Sequence, residues 1–396
     1  MKSLHKVVLV AGFVLAALNL RPALSGVSPL LGEIMADLGL TPAAGGAITT
    51  VMVLCLGVLG PLAPVLAARV GVDRTLLAGL LLLALGIWIR ASGGPIPLYA
   101  GAALAGAAIA IMNVIMPGVV KRHFPDRVGL YTGIYVSGLV AGAAGASALM
   151  VPLAHDHGWR LATASAALLA LLSALLWLPQ ARRRHVPDHN APRPYRMLLR
   201  RRTTWYVTIF MGLQSMTFYI VLAWLPTIFR DAGLAPDQAG YLLSLTNLSQ
   251  LGATFAVPVL AGRTRSQVPY VVTAAVLTMI GYVGVLAAPT TVPWLWMIVL
   301  GVGQGASLAL VLLIITLRAP DPSSVTALSA IAQSIGYVVA ALGPLGIGVL
   351  HQATGGWTIP LLAGLAVCFV QLAAGVRAGS PDRLREPLEQ AAGRPD

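Results

Sequence analysis

Charged residues are scarce in this sequence. Only 10% of the 396 residues are Asp, Glu, Lys or Arg, and 57% are hydrophobic. A water-soluble domain carries about 25% charged residues, so the composition excludes an ordinary soluble globular protein. Only thirteen residues are acidic, and we assign all of them to loops, tails or helix ends.

Cysteine is rarer still, with two residues in the chain. Cys55 and Cys368 both lie in apolar segments, which argues against a disulfide framework or a cysteine metal site. The sequence contains no Walker loop, dinucleotide-binding fingerprint, metal-ligand cluster or nucleophile motif. We therefore expect no enzyme activity, no cofactor and no metal ion.

Long apolar segments, by contrast, recur along the whole chain. About twenty apolar residues in a helix cross the roughly 30 Å hydrocarbon core of a bilayer. We therefore predict an all-α polytopic membrane protein with twelve transmembrane helices. The predicted helices lie at residues 7–30, 43–67, 75–94, 96–120, 127–152, 159–179, 205–229, 239–261, 268–288, 292–317, 323–350 and 356–377.

The net charge of +13 is unevenly distributed. With both termini in the cytoplasm, nearly all Lys and Arg fall in inner loops and tails, and the outer loops hold only Arg90, Arg160 and Arg230. Positive inner loops set the orientation of membrane proteins. The basic composition is therefore a topology signal, and we expect no nucleic-acid partner.

A basic stretch divides the chain nearly in half. We interpret residues 181–204 as a cytoplasmic linker that lies on anionic lipid headgroups, with partner binding as the alternative. The linker separates a six-helix bundle at 1–180 from a second at 205–378. Residues 379–396 are predicted to be a disordered cytoplasmic tail.

The two halves repeat each other. Residues 37–46 and 231–240 are 194 positions apart and are identical at five of ten positions. Pro-Asp pairs at 125–126 and 320–321 are related by an offset of 195. A six-plus-six repeat is the layout of major facilitator transporters, whose substrate site lies near the membrane midplane between the halves. The repeat therefore favours transport by alternating access.

Arg21 is the one ionisable side chain that we place inside a predicted span. Its guanidinium stays charged at physiological pH, and burial at the bilayer centre costs at least about 2.5–3.5 kcal/mol unless it faces a polar cavity. We predict no carboxylate at its depth, so we expect Arg21 to bind a small anionic substrate through a bidentate contact. The alternative is a structural role, with the guanidinium bound to helix carbonyls freed by Pro22.

Uncharged polar side chains within the spans are candidates to line the same cavity. Hydrogen bonding between helices is the alternative for each of them. The predicted substrate-binding set is Arg21, Asn19, Asn113, Gln214, Tyr219, Gln304, Gln333 and Tyr337. Because we place no acid or histidine in a span, we favour uniport, exchange or co-transport with a proton carried on the substrate.

Five short strings are shared with a known family: LNLRPALS at 18–25, GLQSMTFY at 212–219, AWLP at 223–226, GQG at 303–305 and AQSIGY at 332–337. They resemble the cyanate/2-nitroimidazole permease family of the major facilitator superfamily, over essentially the whole chain. The resemblance implies an inner-membrane permease for a small anion such as cyanate, or an exporter of a small nitroaromatic compound. The residues on matching motif positions are Arg21, Asn19, Gln214, Tyr219, Gln304, Gln333 and Tyr337.

The loop between the second and third predicted helices departs from the superfamily pattern Gly-x-x-x-Asp-Arg-x-Gly-Arg-Arg. Residues 68–74 read ARVGVDR, so Ala68 stands where the pattern has an acid. We predict an inner gate formed by Arg69, Gly71, Asp73 and Arg74, with Asp73 supplying the missing acid.

These observations predict a secondary active or facilitative transporter for a cyanate-like or small organic anion. We expect it to act as a monomer in the lipid bilayer of the inner membrane. One alternative is an efflux pump for small nitroaromatic or drug-like compounds. A second is a non-transporting membrane sensor or scaffold.

Overall fold

The computed structural model describes residues 2–27, 30–40, 42–182 and 194–381, and within these ranges it contains helices and turns but no strand. A short 3₁₀ helix covers Pro125–Arg127. The α-helices are α1 (Lys2–Leu18), α2 (Pro22–Ser25), α3 (Leu31–Leu38), α4 (Pro42–Leu59), α5 (Leu62–Val70), α6 (Val72–Ala91), α7 (Pro95–His123), α8 (Val128–Ala181), α9 (Pro194–Leu199), α10 (Arg202–Asp231), α11 (Pro236–Ala261), α12 (Val268–Ala287), α13 (Pro293–Arg318), α14 (Pro322–Thr354) and α15 (Thr358–Gly379).

The predicted all-α membrane fold is confirmed. Over the described residues, eleven helical stretches are long and apolar enough to cross a membrane. The twelfth predicted span, at 43–67, falls on α4 and the α5 helix that follows it. α8 provides two spans, because Gly158 interrupts it with φ 78° and ψ 158°. Glycine tolerates this positive φ because it has no Cβ.

The chain divides into two compact units. Unit 1 comprises Met1–Val119 and Ile134–Pro192, and unit 2 comprises Val120–Gly133 and Arg193–Asp396. The predicted bundle, linker and tail boundaries are not tested by this division and remain predictions. Residues 183–193 of the predicted linker and 382–396 of the predicted tail lie outside the described residues.

Each unit has the same contact at its copy of the repeated decapeptide. In unit 1, Trp159 donates its indole N–H to Asp37 Oδ2 (3.2 Å), and Arg160 pairs with the same oxygen (2.8 Å). In unit 2, Trp357 donates its indole N–H to Asp231 Oδ2 (2.8 Å). The two aspartates are the first residues of the two decapeptides. In unit 1 the contact joins α3 to the part of α8 that follows Gly158, and in unit 2 it joins the end of α10 to the start of α15.

Candidate substrate-binding site

The first span is interrupted at Arg21. α1 ends at Leu18, residues 19–21 form turns, and the four-residue helix α2 begins at Pro22. Proline has no amide N–H and cannot continue the hydrogen-bond ladder of a helix. Arg21 accordingly leaves the helical conformation, with φ −126° and ψ −26°. The break therefore takes the backbone of Arg21 out of the regular helix.

The backbone around this break is held firmly within unit 1. The Arg21 carbonyl accepts hydrogen bonds from both the amide (2.9 Å) and the hydroxyl (3.0 Å) of Ser25. The Ser25 hydroxyl also lies 3.3 Å from the Ala143 carbonyl of α8. These contacts fix the position of Arg21 without using its guanidinium.

Asn19 joins α1 to the second span of α8. Its side chain is 2% exposed, and Nδ2 donates to the Leu15 carbonyl (2.8 Å) and to Ser173 Oγ (2.7 Å), with the Leu169 carbonyl at 3.3 Å. The amide hydrogens of this predicted ligand are therefore directed at protein acceptors. This is the interhelical arrangement that was the alternative for Asn19.

The Arg21 side chain itself is partly exposed. Among the described residues, its guanidinium makes no hydrogen bond or ion pair. The carbonyl-bound arrangement that was the structural alternative is thus not seen in this part of the chain. A guanidinium carries five N–H donors in a planar fork, and in Arg21 none of them has a partner among the described residues.

Arg90 corrects the expectation that Arg21 is the only ionisable side chain within a span. We assigned Arg90 to an outer loop, but it lies in the last turn of α6 and is 2% exposed. Its Nη1 donates to the Ala23 carbonyl (2.6 Å) and lies 3.8 Å from Met52 Sδ. Its Nε has no hydrogen-bond partner among the described residues. The signal was present, because the predicted helix at 75–94 contains residue 90.

In unit 2, Gln304 belongs to a buried polar network that sequence reasoning missed. Its Nε2 donates to the Thr217 carbonyl (3.2 Å), which also accepts from the Tyr282 hydroxyl (3.2 Å). Thr217 Oγ1 donates to Gln371 (3.3 Å), whose Nε2 donates to Ser307 (3.3 Å). The network ties α10 to α12, α13 and α15. Gln304 Oε1 has no partner among the described residues.

Three further candidates surround the crossing of α10 and α14. A Cβ placed on Gly212 would lie 3.3 Å from the Cα of Gly336, so the two helices are close at this point. Gln214 lies two residues after the first glycine, and Gln333 and Tyr337 flank the second. Both glutamines donate an amide N–H to a serine hydroxyl of their own helix at 2.7 Å. The structure therefore brings these three residues to one region of unit 2.

The two remaining substrate candidates differ in exposure. Tyr219 on α10 is partly exposed, and its ring is edge-on to that of Phe218, with 5.4 Å between the ring centroids. Asn113 is 4% exposed in the middle of α7. Of the uncharged candidates, Tyr219 is the one that is not classed as buried.

The predicted gate residues lie where α5 meets α6 in unit 1. Gly71 has φ 92° and ψ 151°, a region that is essentially restricted to glycine. Arg69 is exposed at the end of α5, while Arg74 Nε donates to the carbonyl of the last residue of α8 (3.2 Å). Asp73 is buried, and its carbonyl accepts the indole N–H of Trp177 (3.2 Å). These contacts fasten the start of α6 to the end of α8.

Comparison with known proteins agrees with this architecture. Residues 9–344 match the Major Facilitator Superfamily profile. The 2-nitroimidazole transporter of Escherichia coli K12 is 35% identical over 96% of this chain and 98% of its own length. The cyanate transport protein CynX of the same organism is 30% identical over 91% and 94% of the two chains. The solved structure of the proton:xylose symporter XylE matches with a TM-score of 0.76 at 14% identity, over 100% of this chain and 97% of that one.

Proposed function

Because the chain belongs to the major facilitator superfamily, we propose that it moves a small anion across the inner membrane by alternating access and that Arg21 binds this anion. The cargo is a cyanate-like or small organic anion, and transport is secondary active or facilitative. The protein acts as a monomer with both termini in the cytoplasm.

The observation that carries the proposal is the state of the Arg21 side chain. It is a permanent charge in a span whose backbone is fixed by Ser25, while the guanidinium has no partner among the described residues. A cation in a membrane segment is costly, by at least about 2.5–3.5 kcal/mol at the centre. An anion held by two parallel N–H donors offsets that cost and gives directional recognition. The cyanate transport protein among the relatives supports this choice of cargo.

A nitroaromatic cargo is the second candidate, favoured by the 35% identical 2-nitroimidazole transporter. A nitro group presents two coplanar oxygens that carry partial negative charge, so the planar fork of Arg21 suits it as well. For a nitroaromatic cargo, Tyr219 would supply a partly exposed aromatic ring for contact with the ring of the cargo. Uptake of cyanate and of 2-nitroimidazole into proteoliposomes, measured side by side, separates the two candidates.

The role of Arg21 is tested by comparing Arg21→Lys with the matched control Arg160→Lys. Arg160 belongs to the same unit, is exposed and pairs with Asp37, so its replacement leaves transport near the wild-type rate. Arg21→Lys keeps the charge but loses the planar fork, and we expect uptake to fall by about tenfold or more, since charge-assisted hydrogen bonds contribute about 1.5–3 kcal/mol. Near-normal uptake by Arg21→Lys at equal expression would contradict the proposal.

A further inference from the structure

Arg90 is a buried charge that the proposed transport step does not use. It is 2% exposed, and among the described residues it has no acidic partner and no partner for Nε. Its polar contacts with the described residues are the Ala23 carbonyl and the Met52 sulfur, both through Nη1. An arginine cannot shed its charge on burial. Within the described residues, the backbone contact that this buried charge makes is the one to the Ala23 carbonyl.

The contact falls on the segment that presents Arg21. Ala23 is the second residue of α2, and it lies two positions after Arg21 on the far side of the Pro22 break. A four-residue helix contributes little stability of its own, because helix nucleation is unfavourable and short helices depend on tertiary contacts. α2 therefore depends on contacts with other helices: Ser25 bonds to the Ala143 carbonyl of α8, and Arg90 of α6 places its Nη1 2.6 Å from the Ala23 carbonyl oxygen.

The base of the Arg90 side chain is also fixed. A Cβ placed on Gly101 of α7 would lie 2.3 Å from the Arg90 amide nitrogen and 2.6 Å from its Cα. α7 thus packs directly against the backbone of α6 at this residue. α7 holds the backbone end of Arg90 in place, while Nη1 at the other end of the side chain binds the Ala23 carbonyl of α2. Arg90 therefore links the packed pair α6 and α7 to α2.

We propose that Arg90 is a positioning residue, which fixes α2 through the Ala23 carbonyl and thereby sets the direction of the Arg21 side chain for anion binding. The binding part of this inference rests on the proposed function of Arg21. The positioning part concerns the free protein and can be measured without any ligand.

The test uses the full-length protein in lipid nanodiscs with the variants Arg90→Met and Arg90→Lys. Met removes the donor, whereas Lys keeps a charged donor on a similar stem. Met52→Leu is the matched control, because it removes the sulfur contact but keeps the hydrogen bond to Ala23. Hydrogen exchange of the amides in residues 18–27 is measured without ligand, and cyanate affinity is measured on the same samples by calorimetry.

We expect Arg90→Met to speed amide exchange in residues 23–27 by about tenfold or more and to weaken cyanate binding by a similar factor, as for the loss of one charge-assisted hydrogen bond. Exchange in unit 2 stays unchanged, Arg90→Lys recovers part of both effects, and Met52→Leu resembles wild type. Exchange in Arg90→Met equal to wild type, or faster to the same extent throughout unit 1, would overturn the positioning role. No gain from Arg90→Lys over Arg90→Met would also count against it.

The two proposals fail in distinguishable ways. If Arg90→Met loosens residues 23–27 and binding of cyanate is insensitive to Arg21→Lys, the anchor stands and the anion role of Arg21 is wrong. If Arg21→Lys loses cyanate binding while Arg90→Met changes neither exchange nor affinity, the reverse holds. If Arg90→Met does not fold, the exchange and affinity of Arg90→Lys decide alone, and wild-type values for both would overturn the proposal.

Discussion

Replacing Gly142 of α8 by alanine should disturb the segment that carries Arg21. A Cβ on Gly142 of α8 would lie 2.2 Å from the Leu18 carbonyl oxygen, at the last residue of α1. Real Cβ atoms keep at least 3.0 Å from such atoms, so the two helices must move apart by about 0.8 Å. The contact is with backbone, and no side-chain rotation can relieve it.

Gly145→Ala is the matched control on the same helix, because a Cβ at that position meets nothing within 4 Å. Alanine is favoured over glycine in a helix by about 0.5–1 kcal/mol, and both variants gain this term. Overpacking costs about 1–3 kcal/mol and applies only to Gly142→Ala. We therefore expect Gly142→Ala to be less stable than Gly145→Ala by about 1–3 kcal/mol.

The assay is thermal unfolding of both purified variants, followed by cyanate binding at a temperature where both are folded. Gly142→Ala should melt several degrees below Gly145→Ala and bind cyanate more weakly, because displacement of Leu18 shifts the break that follows it. Equal melting temperatures for the two variants would refute the close contact between α1 and α8. Lower stability with unchanged affinity would refute its link to Arg21.

Two further predictions concern a turn and a helix cap. Gly71→Ala puts a side chain on a residue whose φ of 92° is essentially restricted to glycine, so the free energy of unfolding should fall by about 1–3 kcal/mol. Gly94→Ala is the control in the same melting assay, because a Cβ at Gly94 meets nothing within 4 Å. Asp321 caps α14; burial alone would raise its pKa, but hydrogen bonds from the two following serines outweigh this and lower the pKa. A carboxylate with a lowered pKa adds stability above its ordinary pKa that is lost as pH falls through the lowered value. The melting-temperature advantage of wild type over Asp321→Asn should therefore shrink below about pH 4; a constant difference from pH 7 to pH 3 would contradict the assignment.

The fold was predictable because its signals are local. Apolar runs long enough to cross a bilayer and the decapeptide repeat can be read without knowing which helices touch. The repeat also marked the two aspartates that accept indole N–H groups, although the tryptophan partners lie 122 and 126 residues away. Sequence alone gave the position of each aspartate but not its partner.

The site was predictable only in part, because burial and pairing depend on distant residues. The predicted helix at 75–94 contains Arg90, but its burial and its partner could not be predicted, because the carbonyl that accepts its N–H belongs to Ala23, 67 positions away. Asn19 has the chemistry of a ligand, yet Ser173 at a separation of 154 residues takes its amide. Arg21 was proposed as a site residue because a charge in an apolar run is conspicuous wherever its neighbours lie, and its role stays a prediction.

The central claim is tested most directly by anion-induced stabilisation of the purified protein. A ligand that binds only the folded state stabilises it by about 2.7 kcal/mol at one hundred times its Kd. Cyanate should therefore raise the melting temperature of wild type and of Arg160→Met but leave that of Arg21→Met unchanged, with potassium chloride at equal ionic strength as the reference. Equal stabilisation of wild type and Arg21→Met by cyanate would contradict the assignment of Arg21 as the anion-binding residue.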